Sequence, residues 1–178
     1  MGLKVFLNPG DWWFGPFQPG EISTILGSCV SVVLTHPTAK VLGVSHAILP
    51  RNTKQDGLSG RFAQDVVMIF CQQLQRLGLK PTDCQVGLFG GGAMFADGHS
   101  ETGHQMPTMV RVGEHNVLIS VQSLAAYGLQ LCQQDTGGCC YRRLQINLLD
   151  GLVQHEKYPL QTLALKAVHS KRTKHHGP

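Results

Sequence analysis

The sequence lacks a stretch of apolar residues long enough to cross a membrane. None of its hydrophobic runs approaches the roughly 20 residues that a membrane-spanning helix needs. A secretory signal is also missing, and the six cysteines are not spaced as the disulfide framework of a small secreted domain. These absences predict a cytoplasmic protein with reduced thiols and no direct insertion into a membrane.

The chain lacks the localised basic surface that nucleic-acid-binding proteins carry. Its net charge is +4, but the excess lies in the last thirteen positions, and the other residues include eleven basic and eleven acidic ones. No basic stripe interleaved with aromatic residues occurs, so we expect no nucleic-acid partner. We predict one domain over residues 1–158 and a flexible basic tail over residues 159–178.

The motifs that bind metals and nucleotide cofactors are missing as well. Gly90-Gly91-Gly92 follows a predicted strand but does not fit the G-x-G-x-x-G pattern, so a tight turn is the better interpretation. His99 and His104 have no cysteine or carboxylate at metal-ligand spacing, and Cys139-Cys140 is not a C-x-x-C motif. We therefore expect neither a metal nor an organic cofactor.

The most informative stretch that is present covers residues 23–50. Two strand-like runs, residues 30–34 and 41–48, are joined by a turn around Pro37. If they pair as an antiparallel hairpin, Cys29 and His46 become neighbours across the ladder. An imidazole in that position can take the thiol proton and so create a nucleophile. Gly27 and Ser28 predict a tight turn whose backbone N–H groups face a developing oxyanion.

A structural interpretation of the same two residues stays open at this point. A cysteine in the apolar run Cys-Val-Ser-Val-Val-Leu is typical of a protein core, and a lone histidine in a strand is commonly structural. A shift of one residue in the strand register would place Cys29 and His46 on opposite faces of the sheet. Spacing alone therefore leaves both a catalytic pair and two core residues possible.

The remaining patterns predict an α+β fold with two main helices and a mostly antiparallel or mixed sheet. Residues 8–20, which include Trp12 and Trp13, are predicted to form a loop, and Asp150-Gly151 a hairpin turn. The predicted helices cover residues 61–77 and 113–127. Further strands are predicted at residues 3–7, 22–26, 84–89, 130–134 and 141–148.

Four motifs, in order, resemble the CheD family of chemoreceptor glutamine deamidases. The run L-G-S-C-V, followed seventeen residues after its cysteine by the histidine of S-H-A-I-L-P, is similar to the family's active-site motif. Residues 88–91, 112–117 and 135–138 resemble three further motifs. The resemblance implies that Cys29 and His46 convert glutamines of methyl-accepting chemotaxis receptors to glutamate, with release of ammonia and through a thioester. The cytoplasmic domains of these receptors would be the substrate.

The resemblance also implies a fold and a third catalytic residue. The fold would be a layered α/β/β sandwich similar to bacterial toxin deamidases. In the family motif a hydroxyl residue stands six positions before the cysteine and orients the histidine. That offset gives Ser23, with Thr24 beside it as the alternative.

A partner is implied by the motif at residues 88–91. It resembles part of the surface through which the family contacts a phosphatase of the CheC type, so Phe89, Gly90 and Gly91 are predicted to form an exposed contact site. Gly92-Ala93 replaces Ala-Asn of the family pattern, and residues 139–141 replace Asn-Arg-Gly, which leaves the choice of partner open. Two alternative functions are a regulatory module that docks such a phosphatase with little catalysis, and a thiol redox sensor that uses Cys29 or Cys139-Cys140.

Overall fold

A computed structural model describes residues 2–54, 57–94 and 112–160, which form two β-sheets and a layer of helices. His99, His104 and the predicted tail from residue 161 onward lie outside these ranges. The strands are β1 (Leu3–Phe6), β2 (Trp12–Pro16), β3 (Gly20–Leu26), β4 (Val30–His36), β5 (Val41–Ser45), β6 (Gln85–Gly90), β7 (Gln130–Thr136), β8 (Cys140–Asn147) and β9 (Val153–Pro159). The helices are α1 (Ala63–Arg76) and α2 (Val112–Ala126), and Pro81–Asp83 form a short 3-10 helix.

Both sheets are mixed. The four-stranded sheet has the order β1-β3-β8-β9, and only its β1–β3 pair is parallel. The five-stranded sheet has the order β2-β5-β4-β6-β7, and only its β6–β7 pair is parallel. The predicted α+β class with two main helices and mixed sheets is therefore confirmed. Neither described helix has the length and apolar character needed to cross a membrane.

Strand β4 lies at the centre of the molecule because its two faces contribute to two different hydrophobic cores. Val30, Val32 and Leu34 pack with the buried face of α1 on one side of the sheet. Val33, on the opposite face, packs in the core between the sheets, where β3 and β8 contribute the apolar residues. A strand covered on both faces needs apolar residues at almost every position, as β4 has. The layers are therefore helices, the five-stranded sheet and the four-stranded sheet.

The predicted loop over residues 8–20 is wrong, because its centre forms strand β2. Trp12–Pro16 pair antiparallel with β5 at the edge of the five-stranded sheet. Pro16 is tolerated there since an edge strand has one side without a ladder partner. Phe14 packs against the ring of Phe70 on α1, with ring centroids 5.9 Å apart. Tertiary pairing thus overrides the turn-forming composition of this stretch.

The predicted exposure of Phe89 is also wrong. Its side chain has no exposed surface, and its ring lies 5.4 Å from that of His155 in the core between the sheets. Phe89 pairs with Ser31 of β4, and the strand register turns its side chain toward the four-stranded sheet. Gly90 and Gly91 are buried too. These three residues therefore present no exposed anchor for a partner.

An ion-pair cluster links the two sheets through the carboxylate of Asp135 on β7. Arg142 Nη2 and Lys157 Nζ lie 3.0 and 2.8 Å from Oδ1, and His155 Nε2 lies 2.7 Å from Oδ2. Burial alone would raise the pKa of Asp135, but the hydrogen bonds and charges of Arg142 and Lys157 outweigh it and lower that pKa to about 2. The ionised carboxylate therefore compensates a guanidinium that is only 2% exposed.

Asp135→Asn is expected to lower the free energy of unfolding at neutral pH by about 3–5 kcal/mol, because Arg142 stays buried without its counter-charge. The pKa of Asp135 in the folded state lies below its ordinary 3.8. Its contribution is therefore complete above that value and is lost as the pH falls toward 2. Denaturant titrations across this range measure the effect. Glu21→Gln, at an exposed position on β3, is the control, and an equal loss in both variants would contradict a special role for Asp135.

Candidate active site

Cys29 lies on the short connection, residues 27–29, where the chain passes from the four-stranded to the five-stranded sheet. The end of β6 supports this connection. Gly91 N–H donates to the Cys29 carbonyl at 2.7 Å, and Gly92 N–H donates to the Gly27 carbonyl at 2.8 Å. Gly90 has a φ of 104°, and a Cβ on it would lie 2.2 Å from the Cys29 carbonyl oxygen. The glycines thus allow two backbones to approach closely.

His46 directly follows β5 and lies on the same face of the ladder as Cys29. Val30 and Ala47 exchange two backbone hydrogen bonds, of 2.9 and 2.8 Å, and form an antiparallel pair. Cys29 and His46 each precede one member of that pair, so both side chains point to the face opposite Val30 and Ala47. This face is turned toward the four-stranded sheet, and Cys29 packs against the core there. Cys29 and His46 are diagonal neighbours in the ladder, a relation within reach of long side chains.

Two oxygen atoms hold one nitrogen of the His46 ring. Nδ1 lies 2.7 Å from Thr24 Oγ1 and 3.3 Å from the Leu7 carbonyl oxygen. The Thr24 hydroxyl donates to the same carbonyl at 2.8 Å. Since this bond uses the only hydroxyl proton and a carbonyl can only accept, we assign the ring proton to Nδ1, which donates it to Thr24. Nε2 is then the basic nitrogen. It is buried, and no residue in the described ranges hydrogen bonds to it.

Thr24, rather than the predicted Ser23, is the hydroxyl residue in contact with His46. Adjacent residues of a strand point to opposite faces, so only one of the two can face the core between the sheets. Thr24 is fully buried between Ile22 and Leu26, whereas Ser23 points to the other face of β3 and is partly exposed. An offset counted from the cysteine selects Ser23. Ile22, Thr24 and Leu26 occupy every second position of the strand and so lie on one face. The apolar residues on either side of Thr24 are the sequence signal that this residue points inward.

Burial shifts both titratable groups of the site toward their neutral forms. It raises the pKa of the Cys29 thiol, against a smaller opposing effect of the residue's own backbone N–H. It lowers the pKa of His46, against smaller opposing effects of the Leu7 carbonyl and the charge of Asp11. A resting thiolate–imidazolium pair is therefore disfavoured at neutral pH. The thiol would have to release its proton as it attacks.

Asn116 on α2 is a further residue at the site, for which the sequence predicts no role. Its Nδ2 donates to the Ser28 carbonyl at 3.0 Å and to the Ile48 carbonyl at 2.9 Å. Ile48 lies opposite Cys29 in the ladder, and Asn116 is fully buried. One side chain thus connects the turn before Cys29 with the strand that carries His46.

The described ranges contain no group of three His, Cys, Asp or Glu side chains arranged to hold a metal ion. All six cysteines are free thiols. Around Cys29 the described groups offer a thiol, an imidazole with a defined tautomer and the N–H groups of a tight turn.

Comparison with known proteins identifies the family. The family described as CheD, chemotactic sensory transduction, matches residues 48–157. A probable chemoreceptor glutamine deamidase CheD 1 of Chromobacterium violaceum is 35% identical over 154 residues, which are 85% of this chain and 76% of that protein. A probable chemoreceptor glutamine deamidase CheD 3 of Dechloromonas aromatica is 36% identical over 150 residues, covering 83% of this chain and 84% of that protein. Among solved structures, YlmD from Geobacillus stearothermophilus aligns with a TM-score of 0.41 and 11% identity. The alignment covers 75% of this chain and 60% of the YlmD chain. With a family match over more than half of its length and relatives across most of it, this chain belongs to the CheD family.

Proposed function

We propose that this chain is a protein-glutamine amidohydrolase that converts glutamine side chains of chemoreceptors to glutamate in the cytoplasm. The observation that carries the proposal is the orientation of His46. Its Nδ1 proton is held by Thr24, which leaves Nε2 to accept a proton on the face that His46 shares with Cys29. The substrate class follows from the relatives, which are named probable chemoreceptor glutamine deamidases.

In the first half of the reaction, the Cys29 thiol gives its proton to His46 Nε2 as the sulfur attacks the carboxamide carbon. An S–C bond forms, and the electron pair of the C=O bond moves to oxygen. Backbone N–H groups of the turn at residues 27–29 stabilise that oxyanion. When the intermediate collapses, protonated His46 donates its proton to the departing nitrogen, and ammonia leaves a thioester behind.

In the second half of the reaction, water enters the site that ammonia has left and hydrolyses the thioester. Neutral His46 takes a proton from the water, and the resulting hydroxide attacks the thioester carbonyl. Collapse of this intermediate breaks the S–C bond, and the sulfur regains the proton from His46. The products are a glutamate side chain and the free Cys29 thiol. Thr24 accepts the hydrogen bond from Nδ1–H throughout and so keeps Nε2 as the nitrogen that exchanges its proton.

The proposal is tested by incubating the protein with a receptor cytoplasmic segment and analysing its peptides by mass spectrometry. Each modified glutamine should gain about one mass unit as NH₂ is replaced by OH, with one ammonia released per site. The segment incubated alone controls for spontaneous deamidation. A folded protein that leaves every glutamine unchanged at saturating substrate would refute the proposed activity.

Two other functions are less well supported. A redox sensor that uses Cys29 needs an exposed, readily ionised thiol, whereas burial raises the pKa of Cys29. A sensor that uses Cys139-Cys140 stays a prediction of the sequence. A module that only docks a CheC-type phosphatase would not need a histidine with a defined tautomer next to a thiol. Binding of such a phosphatase stays a prediction of the sequence resemblance, as do the likeness to bacterial toxin deamidases and the domain boundary at residue 158.

Thr24→Val is expected to lower kcat about 10- to 100-fold, which corresponds to losing one hydrogen bond to a charged group, about 1.5–3 kcal/mol. Valine keeps the shape of threonine but cannot accept the hydrogen bond from His46 Nδ1–H. Ser23→Ala should change kcat less than about twofold, because Ser23 points away from the ring. Ammonia release measures both variants. A larger loss in Ser23→Ala than in Thr24→Val would contradict the assignment of Thr24.

A further inference from the structure

We propose that Asn116 is a positioning residue that directs the Cys29 N–H group toward the oxyanion of the reaction. This inference rests on the proposed function and names a residue in α2, far along the chain from the nucleophile. Asn116 would not contact the substrate. It would act by fixing the peptide unit between Ser28 and Cys29.

The antiparallel pairing of the strands that carry Cys29 and His46 ends after the Val30–Ala47 pair, and Asn116 lies beside the point where the strands separate. If the register of the Val30–Ala47 pair continued, Ser28 would pair with Leu49, and Leu49 N–H would bond the Ser28 carbonyl. Leu49 N–H instead donates to the Arg61 carbonyl at 3.0 Å. Asn116 Nδ2 donates to the Ser28 carbonyl in its place. The side-chain amide thus substitutes for a backbone donor where the strands separate.

The direction of the Cys29 N–H group follows from that hydrogen bond. The described peptide bonds are trans, and in a trans peptide the C=O and N–H of one unit point in opposite directions. The Ser28 carbonyl is held toward α2 by Asn116, so the Cys29 N–H must point away from α2. In the same way, the bond from Gly92 to the Gly27 carbonyl turns the Ser28 N–H away from β6. Within the described ranges neither N–H group donates to another residue.

The Cys29 N–H also lies near the sulfur atom. It belongs to the same residue as Sγ, and its effect opposes that of burial, which raises the pKa of the thiol. The oxyanion forms one carbon away from that sulfur. A donor that is fixed in direction and close to the attacking atom is the arrangement that stabilises a tetrahedral intermediate.

An amide suits this position because its NH₂ group has two hydrogens for two carbonyls. Aspartate has nearly the same shape, but it would place an oxygen against the carbonyl oxygens of Ser28 and Ile48. Asn116→Asp should therefore rotate the Ser28–Cys29 peptide, and Asn116→Ala should leave it unrestrained. Ser120→Ala is the matched control. Ser120 is also fully buried on α2, one turn further on, but its hydroxyl donates only to the Asn116 backbone carbonyl.

Two reactions of Cys29 separate positioning from general damage to the site. Iodoacetamide alkylates the sulfur by displacement of iodide, and no oxyanion forms on the attacked carbon. Butyraldehyde adds reversibly, with formation of an S–C bond, movement of the C=O electron pair to oxygen, and transfer of the thiol proton through His46 to that oxygen. Its affinity is read as the concentration that halves the rate of alkylation. Only the second reaction uses an oxyanion donor.

In Asn116→Asp and Asn116→Ala, kcat for ammonia release should fall about 10²–10³-fold with KM nearly unchanged. The butyraldehyde concentration needed for protection should rise about tenfold or more, while alkylation stays near the wild-type rate. Ser120→Ala should match wild type in all three measurements. Thermal unfolding identifies the variants that remain folded.

Unchanged butyraldehyde affinity, or alkylation that falls in step with kcat, would overturn the positioning role. So would failure of wild type to bind the aldehyde, or loss of the fold in both Asn116 variants, which would make the residue structural. If wild type releases no ammonia from receptors, the proposed function fails, yet the aldehyde measurement still decides whether Asn116 directs an oxyanion donor.

Discussion

Replacing Cys29 by alanine is expected to abolish glutamate formation while leaving the fold intact. Cys29 is the cysteine that packs against the core on the face that carries His46, so its loss removes the nucleophile that forms the covalent intermediate. The connection itself should keep its shape, because its backbone carbonyls are held by Gly91, Gly92 and Asn116 and not by the cysteine side chain. Ammonia release and peptide mass measure turnover, and circular dichroism with thermal unfolding measures the fold.

Serine at the same position should be nearly as damaging. An alcohol is ionised far less than a thiol by the same imidazole, and burial at this position disfavours the ionised nucleophile further. Cys132→Ala provides the control, since Cys132 is exposed on β7, and this variant should retain full activity. Glutamate formation that persists in Cys29→Ala would show that the nucleophile is another residue.

His46→Ala is expected to lower kcat about 10²–10⁴-fold, the usual effect of losing a general acid–base. The same group should set the acid limit of activity. Burial lowers the pKa of His46 below its ordinary 6.5, so the ring stays neutral and basic to lower pH than a free imidazole. The midpoint of the acid decline in the wild-type kcat/KM should therefore lie below pH 6.5.

A second buried histidine serves as the control for His46. His36, at the end of β4, is 5% exposed and accepts a hydrogen bond from Ala39 N–H within its own turn. His36→Ala should lose stability but keep kcat at temperatures where it is folded. An acid limit that lies above pH 6.5, or one that persists in His46→Ala, would assign the titration to another group.

The parts of the site that depend on local patterns could be predicted from the sequence. The turn at Pro37 and the apolar runs around it predict the antiparallel pairing that puts Cys29 and His46 on one face, and the structure has that register. Both helices follow from the spacing of their apolar residues, with ends within two residues of those predicted. Such features need only short-range information.

The parts that depend on distant contacts could not be predicted. Strand β2 exists because β5 pairs with it, and nothing within residues 12–16 requires a strand. Phe89 is buried because a second sheet covers its face of β6. Asn116 acts at a site 88 residues away in the sequence, and no local pattern connects the two. Thr24 could be predicted only in part. The pattern of apolar residues along β3 shows that its side chain points inward, but not that it hydrogen bonds to His46.

The supports of the Cys29 turn come from parts of the chain that are made much later. Hydrogen bonds from Gly91, Gly92 and Asn116 hold its carbonyls, and the bond from Asn116 spans 88 residues. Contacts that close such long loops form slowly, because the entropy of loop closure has to be overcome first. A nascent chain therefore contains both Cys29 and His46 long before α2 reaches them. During synthesis the Cys29 turn should therefore lack the hydrogen bond from Asn116 until α2 has docked.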